Sequence, residues 1–313
     1  MSQSETAVPT GRLRRARLGL GRLTDRRALP ELPEVPVRVI EPRQPGVLAR
    51  IREFWLYRQL VLYFGWQFLE KLYAKTWLGW LWVPLRPILT IAPRVMVFSG
   101  ILGAPSNGVP YLIFFVIGFS AWQFFALMLV WSTRSIDVSK RVLRRIYVPR
   151  LTCLLGSLVP ALVNLALYML IAAVTLAVFY AVDGTTHLEL GLNTLALPAG
   201  LVLMALLALA IGCFTSVYGA NARDVRFGIS YLVVFWFFLT PVIYPLSEVP
   251  AALEPVVTLN PMTAPIEMIR LGLFDSGQIP TVALLSCLGT ILAVGIPGLW
   301  FFNRSEALAL DSL

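Results

Sequence analysis

Charge is scarce in this sequence: only 14% of its 313 residues are charged and 58% are hydrophobic, whereas soluble domains carry about 25% charged residues. That deficit excludes an ordinary soluble globular protein. The apolar wealth excludes a disordered chain, which cannot collapse for want of it. With a mean hydropathy of +0.75, what remains is a membrane protein of several spans, each needing about 20 apolar residues. Cysteine and histidine are nearly missing. Cys153, Cys213 and Cys287 lie far apart with no C-x-x-C pair, and His187 is the one histidine, so neither a disulfide framework nor a zinc site is expected. His187, beside Asp183 and Glu189 in a short loop, reads as a solvated histidine rather than part of a Ser-His-Asp site. The three lysines follow Glu70, Ala74 and Ser139, never glycine, so no P-loop is present. No D-x-x-D occurs, and the closest acidic pair, Glu31 and Glu34, lies in a proline-rich stretch; this weighs against a metal-dependent prenyl-phosphate enzyme. No apolar run occupies residues 1–52 either, so a signal peptide is not expected, and residues 1–49 read as a basic, poorly ordered extension.

Large apolar residues are plentiful beyond that point. From Ile51 to Phe68 they recur at Phe54, Tyr57, Val61, Phe64 and Phe68, the steps of three and four of one helical face. Arg52, Arg58, Gln59, Gln67 and Lys71 interrupt the run too often for a span, so the spacing predicts an amphipathic helix in the membrane interface. Six long apolar stretches follow: Trp77–Leu102, Pro110–Ser132, Leu151–Val182, Leu192–Ala220, Gly228–Leu246 and Ile279–Phe302. An even number places both termini on one side.

The surplus of positive charge says which side. Of 26 Lys and Arg against 17 Asp and Glu, 23 fall in residues 1–75, 134–150, 223–226 and the C-terminal tail, whereas the alternate loops hold only Arg270. By the positive-inside rule the first group is cytoplasmic; the surplus marks orientation, not nucleic-acid binding. The third extracytoplasmic segment, 247–278, is punctuated by Pro250, Pro255, Pro261 and Pro265 between apolar runs too short to cross a bilayer. Two short helices dipping back into the outer leaflet, covered by protein, suit that pattern; a loop packed on the outer surface is the alternative. The expected fold is an all-α integral membrane protein with six transmembrane helices, an amphipathic interface helix and re-entrant helices before the last span.

Arg86 and Arg94 are the two charges inside the first stretch. A charge at mid-membrane costs about 3 kcal/mol on insertion scales and usually faces a cavity or a partner. They read either as contacts for a passing anion, or as a snorkelling Arg86 with a paired Arg94. The segment Ser139–Arg150 carries Lys140, Arg141, Arg144, Arg145 and Arg150. Val142, Leu143, Ile146 and Tyr147 recur at helical spacing, so a short amphipathic helix stopped at Pro149 is expected. It is either a topogenic cluster touching anionic lipid or a docking helix for a soluble partner. Trp82 and Trp122 fall near span ends, as belt residues do; with Phe125, their flat rings also suit a glycan path.

The order of these features resembles the membrane subunit of ABC-type polysaccharide exporters, the family that exports O-antigens, teichoic acids and related lipid-linked glycans. Lys71-Leu-Tyr-Ala-Lys-Thr-Trp-Leu-Gly-Trp-Leu-Trp82 is similar to that family's signature ahead of the first span, although Leu72 and Ala74 flank Tyr73 where basic residues are usual and Thr76 replaces serine. Pro110-Tyr111 with Gly118–Phe125, Lys140–Arg150 ending in Tyr-Val-Pro-Arg, and Leu259-Asn-Pro-Met-Thr263 through Arg270 resemble its second-span, coupling-helix and gate segments. The resemblance covers residue 50 to the end. It implies a transmembrane domain over 50–303 with a short cytoplasmic tail, 304–313, in the bacterial cytoplasmic membrane. It also implies a non-enzymatic homodimer that works with two copies of a separate ATPase subunit, which holds ATP and magnesium. The substrate implied is a polyprenyl-pyrophosphate-linked glycan of O-antigen, teichoic acid or cell-wall galactan type. Under it Lys140, Arg141, Arg144, Arg145, Tyr147, Pro149 and Arg150 couple to the ATPase. Arg52, Arg58, Lys71, Tyr73 and Lys75 form an entrance, Arg86, Arg94, Trp82, Trp122 and Phe125 a substrate path, and Asn260, Pro261, Glu267 and Arg270 an extracytoplasmic gate. A drug or small-lipid exporter, or an integral membrane glycosyl- or prenyl-transferase, are the rival readings.

Overall fold

The computed structural model describes residues 57–310 apart from 74–76, 78, 107, 146–147, 186–187, 190 and 276, and leaves aside the side chains of Tyr73, Trp80 and residues 305–310. The extension, Arg52, Lys75, Tyr147, His187 and the side chain of Tyr73 lie outside the described residues. Among those described there are helices and no strand. Four helical stretches are long and apolar enough to cross a membrane: Tyr111–Leu143, Arg150–Asp183, Leu192–Asn221 and Thr281–Arg304.

Helix α1 (Arg58–Tyr73) buries Phe64 and Phe68 against Trp131, Val148 and Cys153, the Phe68 and Trp131 rings stacking at 5.2 Å. Those are two residues of the apolar face read from the spacing. The opposite face also presents large rings, with Tyr63 and Trp66 exposed. Helix α2 (Trp82–Val95) runs into a π-helix, Met96–Ile101, giving 20 consecutive helical residues, about 30 Å at 1.5 Å each. Pro87 and Pro93 lie inside α2; each lacks an N–H for the helical ladder. The turn widens just past Pro93, and the Leu102 N–H reaches the Val97 carbonyl at 3.0 Å.

Helix α3 (Tyr111–Leu143) is central. Its most apolar stretch is 83% buried, against 17% for Arg150–Asp183 and for Thr281–Arg304. Around it pack α4 (Arg150–Leu155), α5 (Leu158–Asp183), α6 (Ala196–Asn221), α7 (Arg223–Leu239) and α9 (Thr263–Phe274), while α10 (Thr281–Leu310) lies on α6. The second stretch therefore does not end at Ser132. Nothing between Ser132 and Leu143 breaks a helix, so the start of the basic segment is the last turns of α3 and not a separate amphipathic helix. The third stretch is interrupted by a turn at Gly156–Ser157 that separates α4 from α5. The fifth stops at Leu239, and Pro241–Pro245 lies over the core with Val242 and Ile243 buried. The last helix continues through residue 304 to Leu310, so that part of the tail is helical.

Between α7 and α10 lie α8 (Glu254–Leu259) and α9. Two glycines let α9 approach α6. A Cβ at Gly200 would come within 2.8 Å of the Pro265 carbonyl oxygen, and one at Gly272 within 2.9 Å of the Leu197 nitrogen. The loops gather at two ends. At one, the Lys71 ammonium donates to the Val138 carbonyl at 3.3 Å and Arg226 pairs with Asp137 at 2.9 Å, which brings the basic segments together. At the other, the Glu189 N–H bonds the Leu273 carbonyl at 3.0 Å and Asn193 donates to Asp275 at 2.6 Å.

Candidate functional site

At the end away from the basic loops, α9 carries a buried ion pair one helical turn long. Arg270 Nη1 donates to Glu267 Oε1 at 2.9 Å, with the two side chains 3% and 5% exposed. Its Nη2 donates to the Val242 carbonyl at 2.9 Å and its Cζ lies 4.0 Å from the centre of the Phe114 ring. Gly118 makes room for this: a Cβ there would come within 3.3 Å of both Arg270 and the Val242 oxygen. Removing two charges from water is costly unless they pair and find further bonds, and here one guanidinium clamps α9, α3 and the strap after α7. Asn260 is a second tie. Its amide donates to the Leu239 carbonyl at 3.1 Å and to Thr240 Oγ1 at 3.0 Å, while its oxygen accepts the Trp236 indole N–H at 2.8 Å and the Met262 N–H at 3.0 Å. Both side-chain groups of Asn260 are satisfied, and Pro261 beside it is half-buried.

The opposite end presents an open groove of about 1040 Å³ between α1 and α3, bordered by Gln67, Lys71, Asp137, Arg141, Arg144 and Arg145. Arg141, Arg144 and Arg145 are exposed, and none has an ion pair among the described residues. Lys140 is committed elsewhere: it pairs with Asp137 at 3.2 Å and donates to the Ala220 carbonyl. It therefore ties α3 to the α6–α7 turn, and the exposed charge belongs to its neighbours. Pro149 and Arg150, half-buried, begin α4. Arg58 is exposed at the start of α1. Lys71 is exposed, yet partial desolvation of its ammonium lowers its pKa, helped by the Arg141 charge and opposed by Asp137.

On α2, Arg94 turns back on its own helix, donating to the Thr90 carbonyl at 2.6 Å with its Cζ 5.3 Å from the Phe119 ring centre. Arg86 is exposed and borders a cavity of about 180 Å³ with Gln123, Asn164 and Tyr168; Gln123 donates to the Tyr168 hydroxyl at 3.2 Å. These three polar partners were not among the residues singled out in the sequence. The signal was there, since a lone amide in an apolar span is as telling as a charge. Trp82 is half-buried. Trp122 and Phe125 are buried, their rings 6.4 and 5.3 Å from that of Trp236, so in this chain they pack the core.

The ABC-2 type transporter family matches residues 47–274. The chain is 25% identical over 270 residues to the O-antigen export system permease protein RfbA of Myxococcus xanthus, covering 84% of this chain and 99% of that one. It is 24% identical over 242 residues to the protein of the same name from Klebsiella pneumoniae, covering 75% of this chain and 88% of that one.

Proposed function

This chain belongs to the ABC-2 type transporter family, and from that membership we propose that two copies of it form the channel through which a polyprenyl-pyrophosphate-linked polysaccharide leaves the cytoplasm, driven by ATP. The observation that carries the substrate class is the near full-length similarity to permeases named for O-antigen export. ATP and magnesium are bound by a separate ATPase subunit, also in two copies. This chain transports and does not catalyse. It lies in the bacterial cytoplasmic membrane with both termini inside, as an extension (1–49), a transmembrane domain (50–303) and a tail (304–313). Two further spans bring the four long ones to six: the 20-residue run from Trp82 to Ile101 and α7, about 26 Å long at 1.5 Å per residue. Both keep large apolar side chains exposed, among them Leu89, Met96, Tyr231 and Phe235, as suits helices that face lipid.

The groove at the basic end is the docking surface for the ATPase, with Arg141, Arg144 and Arg145 as its free charges and Tyr147, Pro149 and Arg150 beyond them. α1 is the interface helix, and Arg52, Arg58, Lys71, Tyr73 and Lys75 form the entrance. Arg86, with Trp82 and Arg94 on the same helix, faces the path. α8 and α9 are the re-entrant gate, latched by Asn260, Pro261, Glu267 and Arg270. Depletion of the chain in its native host tests the reading. Loss of surface glycan with accumulation of lipid-linked glycan inside is the expected result. Unchanged surface glycan, or a chain that co-purifies with no ATPase in mild detergent, overturns it.

A further inference from the structure

Arg94 holds its charge at a depth where arginines are not usually left. Along the continuous helical run from Trp82 to Ile101 it stands about 18 Å from the first residue and about 10 Å from the last, at 1.5 Å per residue, inside a hydrocarbon core about 30 Å thick. An arginine so placed ordinarily snorkels, carrying its charge out to the nearer headgroups. Arg94 turns the other way. Its Nη1 donates to the Thr90 carbonyl at 2.6 Å, one turn back toward Trp82, and its Cζ stands 5.3 Å from the centre of the Phe119 ring. Phe119 lies about 12 Å along α3 from Tyr111, and it is fixed there: it is buried, stacked on Phe115 and edge-on to Tyr168 and Phe237. A carbonyl and an aromatic face therefore hold the guanidinium toward the middle of the span.

No carboxylate answers that charge. Glu267 is the one buried acid among the described residues, and it is paired with Arg270; Arg94 has no ion pair among the described residues. Its two partners carry no net charge, and its side chain is only half-buried, so its field extends into any water beside α2. Like charges about 8 Å apart at an effective dielectric of ~20 repel enough to lower passage more than tenfold, and an arginine beside a pore excludes cations in this way. A path wide enough for a polysaccharide also admits hydrated ions, so a barrier in it has to act through charge rather than width.

We propose that Arg94, one in each copy, is an electrostatic barrier that keeps small cations out of the transport path and so preserves the ion gradients of the membrane. This rests on the channel reading above and concerns what the channel refuses, not what it carries. The test reconstitutes the full chain with its ATPase in phosphatidylcholine vesicles and follows release of trapped radiolabelled rubidium, chloride and sucrose. It is run with the gate unaltered and again with the clamp loosened by Glu267→Gln, so that a closed gate does not mask the barrier. Arg94→Gln is expected to raise the rubidium-to-chloride release ratio about tenfold or more, equivalent to about 1.4 kcal/mol. Arg94→Lys keeps the charge and should hold the ratio near that of the unaltered protein, while Arg94→Glu should raise it further. Retained co-purification of the ATPase shows that each variant is folded. A ratio for Arg94→Gln within twofold of the unaltered protein in both gate backgrounds overturns the barrier. A parallel rise of rubidium, chloride and sucrose also overturns it, since Arg94 would then only fill space. Either result leaves the channel reading standing. Failure of that reading looks different: no solute is released from any variant and surface glycan is unchanged on depletion, which removes the barrier with it.

Discussion

Arg270→Met removes three contacts in one step: the 2.9 Å ion pair with Glu267, the 2.9 Å bond to the Val242 carbonyl and the guanidinium over the Phe114 ring. It leaves the Glu267 carboxylate, 4% exposed, without its counter-charge. Removing one partner of a buried pair costs about 3–5 kcal/mol, and in a domain of this size about 1 kcal/mol moves Tm by 2–4 °C. The expected fall in Tm is therefore about 6–20 °C. Glu267→Gln should cost less, about 1–3 kcal/mol, because Arg270 keeps the Val242 carbonyl and the ring. The double variant Glu267→Leu with Arg270→Met removes both charges together and should melt above Arg270→Met alone. The buried cysteines Cys153, Cys213 and Cys287 provide the assay, since a thiol-reactive fluorophore labels them only as the helices come apart. A fall below about 2 °C for Arg270→Met, or a double variant that melts no higher than Arg270→Met alone, refutes the clamp.

Other consequences are testable in the same preparation. Reversing charge with Arg144→Glu and Arg145→Glu should abolish retention of the ATPase while leaving membrane insertion intact; inverted topology would mean that these residues only orient the chain. Asn260→Leu strands the Trp236 indole N–H and the Met262 N–H, and should lower stability by about 1–3 kcal/mol, read as Tm. Gly272→Val drives a side chain against the Leu197 backbone and should cost about 1–3 kcal/mol as overpacking does. Gly289→Ala, with open space around it, should leave Tm unchanged or raise it.

That the basic segments 58–73, 134–145 and 223–226 gather at one end of the bundle was legible from their uneven distribution, and the contacts of Lys71 with α3 and of Arg226 with Asp137 bring them together. The buried face of α1 was legible at Phe64 and Phe68 from their four-residue spacing. Helix ends were less so. Ser132 ends an apolar run, but an α-helix needs only unbroken backbone bonds, and polar residues extend α3 to Leu143 without interruption. The turn at Gly156–Ser157 sits inside a long apolar stretch, where hydropathy carries no sign of an interruption. Lys140 looked equivalent to Arg141 because charge alone does not tell which side chain points inward to Asp137 and Ala220. Trp122 looked like a belt residue for a related reason: an aromatic near a span end and one in a core read alike until the neighbours Trp236 and Phe237 are in place.

The unbroken backbone of α3 has a mechanical consequence. Its 33 residues, with no proline among them, make a rod of about 50 Å at 1.5 Å per residue. One end bears Asp137, Lys140 and Arg141 among the basic loops; the other holds Phe114 and Gly118 against Arg270. A rod without a hinge does not store displacement along its length. A tilt imposed at the basic end therefore arrives at the Arg270 clamp as a tilt in the opposite direction about whatever fulcrum the surrounding helices provide. The clamp and the groove are two ends of one lever, and moving either moves both.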